Sequence, residues 1–524
     1  MALDSRAPAT EFGIGTRLDL ETANAIAEGQ QKLDPSPEVL DRADAAHSRL
    51  QQVISERRHV YGVTTGFGPL ANRLVHPNEG VRLQQNLVNH LATGLGANFS
   101  WSVARAIVLA RLVSILQGLS GASPQTIDFT RTVLEGRLAP AIPERGTVGA
   151  SGDLTPLAHM VLVFQGQGHF IDRQGQLIEA SEGLKQMGLA PLSLSARDGL
   201  ALVNGTSAMT GVALRNALLA GRLTRWAIRL TGALAEVMGA RVEAWAPEFA
   251  RCRPHAGQVE ATNALRAAVS GSTRLQNEPI ASRFLAEEGF VVQENPGQDA
   301  YTLRCAPQVI GAVLDALSWH NAVVEQELNA VSDNPIFPDE GQIPALHGGN
   351  FMGQHVALVS DALSNALTVL AGLAERQVAR LTDERLNAGL PAFLHRGAAG
   401  LHSGFMGAQV TATATLAEMR SIGPASVHSI STNGANQDVV SMGTVAARHA
   451  ARQVLHTSEI LAILALTVCQ AVELRMLDNP DGFSQSARAI CKRIRASSAS
   501  LLQDRPLATD IEAVADVLRS LDAA

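Results

Sequence analysis

Residues 446–482 read AARHAARQVLHTSEILAILALTVCQAVELRMLDNPDG, and this stretch decides the fold. Apolar side chains recur at helical spacing from about Ala446 to Met476, and Asn479-Pro480-Asp481-Gly482 closes the run as a turn. The same spacing appears at Ala106, Leu109, Ala110 and Val113, and again at Leu363, Ala366, Leu367 and Leu370. In those two segments most remaining positions are also Ala, Val, Ile or Leu, so each helix is expected to be buried on several sides, in a bundle or at a subunit interface. Alternating patterns are few. The best hairpin candidate is Gly168 to Leu177, with His169, Phe170 and Ile171 entering an Asp172-Arg173-Gln174-Gly175 turn. The fold class is mainly α.

With 524 residues the chain buries a large core, and a prior of about 150 residues per domain suggests roughly three domains. No internal repeat or low-complexity linker marks a boundary. The division is placed near Thr210, giving an N-terminal domain over 1–210 and a bundle with C-terminal helices over 211–524. Hydrophobic residues make up 46% and charged residues 17%, a globular balance and not a disordered one.

The net charge of −7 and the absence of a Lys/Arg-rich block argue against nucleic acid or an anionic membrane surface as a partner. A small molecule is expected instead. The longest apolar run, Ile460 to Cys469, is far short of the roughly 20 residues that span a bilayer, so no membrane span is expected. Met1 to Thr16 lacks an apolar signal region, which implies a cytoplasmic protein. Cys252, Cys305, Cys469 and Cys491 are scattered and form no CxxC pair; free thiols are expected.

The chemistry concentrates at Gly146-Thr147-Val148-Gly149-Ala150-Ser151-Gly152-Asp153-Leu154-Thr155-Pro156, a flexible stretch that turns into the apolar run Leu157 to Phe164. Asp153 or Thr155 is the expected cap of that helix, with Pro156 in its first turn. The helix start would favour an anion or an electrophile that gains negative charge. A phosphate cradle is disfavoured because the Lys and Ser/Thr of a P-loop are missing. On its own the loop fits a tight turn equally well.

Two further signals narrow the reading. The chain has only two tyrosines, Tyr61 in Tyr-Gly-Val-Thr-Thr-Gly-Phe-Gly and Tyr301 in Gln298-Asp299-Ala300-Tyr301-Thr302-Leu303-Arg304. One tyrosine at a loop–core boundary is commonly structural, whereas two in polar segments point to function. Asn204-Gly205-Thr206-Ser207 and Asn433-Gly434-Ala435-Asn436-Gln437-Asp438 concentrate amides that look buried, and buried amides are retained where they orient something. Each alone also serves as a helix cap.

Together these residues resemble the aromatic amino acid ammonia lyases, the histidine, phenylalanine and tyrosine ammonia lyases, and most of all the tyrosine branch. The resemblance runs from about Leu18 to Leu477. It rests on Gly149-Ala150-Ser151-Gly152-Asp153-Leu154, on Tyr61-Gly62-Val63-Thr64-Thr65-Gly66, and on Ser332-Asp333-Asn334-Pro335 followed by His347-Gly348-Gly349-Asn350-Phe351. It implies that Ala150, Ser151 and Gly152 cyclise with loss of two waters to methylidene imidazolone (MIO), whose alkene turns the substrate amine into a better leaving group. Gly152 suits this because its nitrogen approaches the Ala150 carbonyl without side-chain obstruction.

By the same resemblance Tyr61 is the base for the β-proton, a role that needs a phenol held ready to give up its own proton. Arg304 is the clamp for the substrate carboxylate, both of whose oxygens a guanidinium fork can bind. Asn204, Tyr301 and Gln354 hold MIO or the carboxylate, and Gly68, Leu154, Met406, Asn433, Asn436 and Gln437 complete the substrate pocket. The fold implied is a homotetramer, with a long antiparallel helical bundle, a smaller N-terminal MIO-bearing domain, and active sites shared between subunits.

Substrate choice is expected at His90-Leu91. Tyrosine lyases carry His-Leu here, phenylalanine lyases generally Phe-Leu, and histidine lyases Ser-His. A site built to bond a hydroxyl penalises a substrate lacking one. Gln437 agrees, because histidine lyases carry Glu at that position. Asn89, beside the pair, leaves a catechol such as DOPA open, with phenylalanine and histidine as further alternatives.

His347, His355, His395, His402 and His428 show no helical zinc spacing, so metal binding is not expected. Two rivals remain. One is a tyrosine 2,3-aminomutase of the same family; the other is an inactive helical oligomer that only binds, which the intact tripeptide and both tyrosines argue against.

Overall fold

The computed structural model describes residues 7–195, 197–282, 297–339, 344–398 and 400–523. It is mainly helical. The helices that matter for the site are α1 (Gly80–Leu91), α2 (Trp101–Leu116), α3 (Leu154–Phe164), α4 (Asp198–Val203), α5 (Ser207–Met238), α6 (Ala306–Leu328), α7 (Gln354–Thr382), α8 (Met406–Arg420) and α9 (Gly443–Asp478). α9 contains the run expected from Ala446 to Met476 and ends at Asp478, and the segment 479–482 that follows is irregular.

Strands are short: β1 (Ala9–Phe12) pairs in parallel with β2 (Lys32–Pro35), and β3 (Leu95–Asn98) runs antiparallel to β5 (Pro143–Arg145). β4 (Ala139–Pro140), β6 (His169–Ile171) and β7 (Leu177–Glu179) form the third sheet. β6 and β7 are the expected hairpin, in register His169 to Glu179 and Ile171 to Leu177.

The chain groups into two compact units. The first comprises 1–218, 320–361 and 424–451; the second comprises 219–319, 362–423 and 452–524. A single cut near Thr210 does not describe this grouping, because two later segments return to the first unit. The physical reason lies in the long helices, since the boundaries at 218/219, 319/320, 361/362 and 451/452 fall inside α5, α6, α7 and α9.

In the first unit α1, α3 and α4 pack on one another. One hydrophobic cluster joins Leu87 and Val88 of α1, Leu157 and Val161 of α3 and Leu200 to Val203 of α4 to most of α2. α2 is buried on nearly all sides, as its apolar periphery requires. It nevertheless carries Arg105 and Arg111. Burying a guanidinium is costly unless its donors are used. Arg105 gives its donors to the carbonyls of Ile26, Ala27 and Gly136.

Among the described residues α7 and α9 are long and apolar enough to cross a membrane, with mean hydropathies of 1.6 and 1.9 over their most apolar windows. Those windows are 67% and 72% buried inside the protein, as in core helices. The run Ile460–Cys469 lies within α9; averaging over a longer window brings out both helices, because the interspersed polar residues lower the mean only a little.

The second unit holds Pro247–Cys252, Ala256–Ala268, α8, Gln485–Arg495 and Ala508–Ser520. All four cysteines are unbridged: Cys252 is exposed, Cys469 is buried, and Cys305 and Cys491 lie between.

Candidate active site

The Gly149–Gly152 loop is folded tightly by successive left-handed residues. Gly149, Ser151 and Gly152 have φ of 82°, 54° and 76°. For Ser151 that conformation is uncommon and strained, and it persists only where the surroundings impose it. They do so here. The Thr147 hydroxyl accepts from Gly149 N–H (3.0 Å) and donates to the Gly152 carbonyl (3.1 Å), closing the loop on itself. Met442 N–H donates to the Val148 carbonyl (2.9 Å), and Asp153 N–H to the Gly205 carbonyl (2.8 Å). At Gly152 only glycine fits, since an added Cβ would stand 2.1 Å from the Gly205 oxygen.

Asp153 stands at the N-cap position of α3, but its carboxylate does not cap that helix. It turns inward instead, accepting from Met209 N–H at the start of α5 (2.7 Å) and from the Thr444 hydroxyl at the start of α9. The loop is thereby pinned to the first turns of two long helices. Burial raises the Asp153 carboxyl to about 6 against the lowering effect of these donors.

Two amides reach Ser151. Asn204, at the end of α4, donates from Nδ2 to the Ser151 carbonyl (3.3 Å), and Gln437 donates from Nε2 to the Ser151 hydroxyl (3.2 Å). Arg111, fully buried in α2, holds Asn204 from behind by donating to its carbonyl, and gives a second donor to Ser114 Oγ (2.9 Å). The Oδ1 of Asn204 is buried without a hydrogen-bond partner among the described residues. An orphaned acceptor of this kind is rare and marks a place where a donor is missing.

These residues fit an imidazolone formed from the tripeptide. The backbone is already turned back on itself, an amide sits on the hydroxyl that must leave, and another sits on the carbonyl that would conjugate with the new alkene.

Asn204-Gly205-Thr206-Ser207 is buried as expected. The second amide stretch differs. Asn433, Gly434, Ala435, Asn436 and Asp438 are exposed, and only Gln437 is partly covered. Left-handed Asn433 (φ 49°) and Ala435 (φ 61°) and the Thr432–Gln437 bridge make this a projecting turn. Asn433 donates to Gln437 Oε1, which also takes the Thr432 hydroxyl (2.8 Å), so the turn orients Gln437. Asn436 donates from its backbone N–H to the Asn433 carbonyl (3.2 Å).

Tyr61 is half-buried, and its phenolic oxygen accepts from Gly68 N–H (2.9 Å). Gly68 thus serves the base candidate through its backbone. The Tyr61 ring meets Phe67 edge-on at 6.2 Å, and its N–H donates to His347 Nε2 (3.2 Å). Tyr61, Leu91 and Leu154 pack against the same hydrophobic cluster.

His90 ends α1, exposed, with Nδ1 against the Asn86 carbonyl (2.9 Å). A carbonyl only accepts, so Nδ1 carries the proton and Nε2 of the neutral ring is an acceptor. Gln354 donates to the Ser426 carbonyl (3.2 Å), not to the tripeptide.

Tyr301, Arg304 and Met406 belong to the second unit. Tyr301 is 69% exposed and Met406 42%. Trp245 Nε1 donates to the Leu303 carbonyl (2.9 Å) and Gln377 to the Thr302 carbonyl (3.1 Å), fixing the short Tyr301–Arg304 helix. Arg304 lies 4.8 Å from the centre of the Tyr301 ring and donates to Gln298. A cavity of about 410 Å3 adjoins them, lined also by Arg241, Phe249, Ile280 and Gln308. Arg241 Nη2, Arg304 Nε and Gln308 Oε1 are buried there without partners among the described residues.

Arg111, Met442 and Thr444 escaped the sequence reading. Arg111 had a legible signal, a charge inside an apolar helix. The others had none, because their partners lie far along the chain. Among the described residues no three His, Cys, Asp or Glu side chains gather in a metal-binding arrangement.

Residues 18–496 match the model of the family described as aromatic amino acid lyase. The chain is 58% identical to a tyrosine ammonia-lyase of Cereibacter sphaeroides over 98% of both proteins. It is 40% identical to an MIO-dependent tyrosine 2,3-aminomutase of Streptomyces globisporus, over 96% of this chain and 94% of that one. A crystal structure of a tyrosine aminomutase from S. globisporus superposes with a TM-score of 0.92 at 37% identity, covering 97% of each chain. With its tripeptide loop, its amides and this likeness over nearly its whole length, the chain belongs to the aromatic amino acid lyase family.

Proposed function

We propose that this protein eliminates ammonia from L-tyrosine to give trans-p-coumarate, using an MIO group formed from Ala150, Ser151 and Gly152. The observation that carries this reading is the left-handed Ser151 held between the Asn204 and Gln437 amides. The identity of 58% to a protein named tyrosine ammonia-lyase supports it.

The group, once formed, supplies an electrophilic alkene for the substrate amine. Asn204 holds the conjugated carbonyl by donating to it. Tyr61 removes the β-proton. Its oxygen already accepts the Gly68 N–H, and its own proton is committed to no acceptor among the described residues. Arg304 binds the substrate carboxylate; its Nε and the nearby Arg241 Nη2, both without partners among the described residues, fit an anion there.

His90 accepts the phenol proton of the substrate at Nε2, the nitrogen that its bond to Asn86 leaves unprotonated. A phenylalanine ring strands that acceptor, so tyrosine is preferred. Asn89 accepts from Gln85 at its side-chain oxygen (3.1 Å), and that oxygen keeps a second lone pair, so a second ring hydroxyl, as in DOPA, stays open as a partner. At Gln437 an imidazole substrate meets an amide and not a carboxylate.

The protein acts as a cytoplasmic homotetramer, in which Arg304 need not come from the chain that carries Ser151, whereas Gln437 reaches Ser151 within one chain. Exposed apolar side chains on α8, such as Val410 (59% exposed), and near Gln437, such as Val439 (61% exposed), suit burial by further subunits. The likeness to a tyrosine aminomutase favours one second reading, return of ammonia to the β-carbon.

Incubation with L-tyrosine tests both. The expected result is growing p-coumarate absorbance with release of ammonia, from a protein whose intact mass is short by two waters. A β-amino acid as main product selects the aminomutase. A Ser151→Ala variant with full mass and full activity removes the mechanism.

A further inference from the structure

We propose that Gln84 is a positioning residue that fixes Tyr61 relative to the Ala150–Gly152 tripeptide. The inference rests on the reading of Tyr61 as base given above. Gln84 lies in α1, is completely buried, and touches none of the reacting groups. Its carboxamide is used at both ends. Nε2 donates to the carbonyl of Gly62, the residue after Tyr61 (2.9 Å), and Oε1 accepts from Leu200 N–H (2.8 Å).

Leu200 is in the first turn of α4, where backbone N–H groups have no partner within the helix. Gln84 therefore caps α4 from outside. Four residues later that helix ends at Asn204, whose amide holds the Ser151 carbonyl. One buried side chain thus ties the backbone carrying the base to the short helix carrying the tripeptide's support.

The approach of α1 and α4 is as close as the backbone permits. An added Cβ on Gly199 would meet the Gln84 carbonyl oxygen at 3.0 Å and its Cβ and Oε1 at 3.1 Å. Glutamine is the side chain this position asks for, because it donates and accepts from the same terminal group at this reach. Glutamate keeps the bond to Leu200 but sets a second acceptor against the Gly62 carbonyl. Methionine fills the space and supports neither bond.

Because Gln84 acts on geometry, its loss should spare cyclisation of the tripeptide and substrate binding while slowing β-proton removal. Misplacement by about 1 Å costs on the order of 100-fold in rate. Gln84→Glu and Gln84→Met are to be compared with wild type by intact mass, kcat and KM for L-tyrosine, and the isotope effect with β-deuterated substrate.

The expected result is a mass still short by two waters and KM within about threefold, with kcat lowered at least tenfold and a larger isotope effect in both variants. A kcat within twofold of wild type overturns the proposal. So does a fall in kcat with an unchanged isotope effect, or failure of both variants to fold, which would make Gln84 a residue of stability alone. Wild-type protein without lyase or mutase activity defeats the reading of Tyr61 instead, and is seen before any variant is made.

Discussion

The Gln437 amide nitrogen lies 3.2 Å from the Ser151 hydroxyl, although 286 positions separate the two residues in the chain. That hydroxyl is the group the proposed cyclisation expels, and an amide donor assists departure of an oxygen that gains negative charge. Gln437→Leu is therefore expected to leave part of the protein at full mass and to lower kcat by about 100-fold, the scale of losing one such donor. Intact mass spectrometry and steady-state rates check it; a completely dehydrated, fully active variant contradicts it.

His90 offers an acceptor at Nε2 because Nδ1 is committed to Asn86. Replacing it by Phe removes the partner of the substrate hydroxyl and adds apolar surface. The variant should lose about 100-fold in kcat/KM for tyrosine and gain for phenylalanine, inverting the preference. Competition between the two amino acids measures this, and an unchanged ratio rules out His90 as the selecting group.

Two buried groups give opposite pH dependences of stability. Burial raises Asp153 to about 6 in the folded protein. The fold then holds more protons than the unfolded chain between about pH 4 and 6, so this residue's contribution falls as pH rises through that window. Burial lowers His320 to about 4. Its neutral form is favoured in the fold, so its contribution is lost as pH falls from about 6.5 toward 4. Each effect is on the order of 3 kcal/mol. Melting curves of His320→Leu from pH 4 to 7 should be flatter on the acid side than wild type, and Asp153→Asn should lose a component of opposite slope. Parallel curves for all three proteins contradict both assignments.

Arg197 and Asp333 form an ion pair at 3.0 Å with both side chains fully buried. Arg197 also donates to the carbonyls of Ser120 and Pro335. Removing one partner leaves the other charge without compensation, so Asp333→Leu should cost about 3–5 kcal/mol. Equilibrium or thermal unfolding measures the loss. Replacing both residues with apolar ones should recover part of it, and a single variant as stable as wild type would show the pair to be dispensable.

Helices and hairpin were legible in the sequence because they follow from local periodicity. The Ala446–Met476 run lies within α9, and His169–Ile171 turns back on Leu177–Glu179. Asp153 shows the limit of local rules: it occupies the N-cap position, yet its carboxylate serves Met209 and Thr444. The amides of 433–438 read as buried by composition, whereas five of the six residues are exposed on a projecting turn.

By itself the sequence determined the helical class, the family and the identity of the tripeptide, since these depend on residue types and short spacings. Only the tertiary structure decided which amide reaches Ser151, how Arg111 and Gln84 back the site, and that Gln354 turns to Ser426 instead. Hydrogen bonds between distant segments are fixed by packing. A buried carboxamide adopts whichever partners the helices bring to it, and no local pattern encodes that choice.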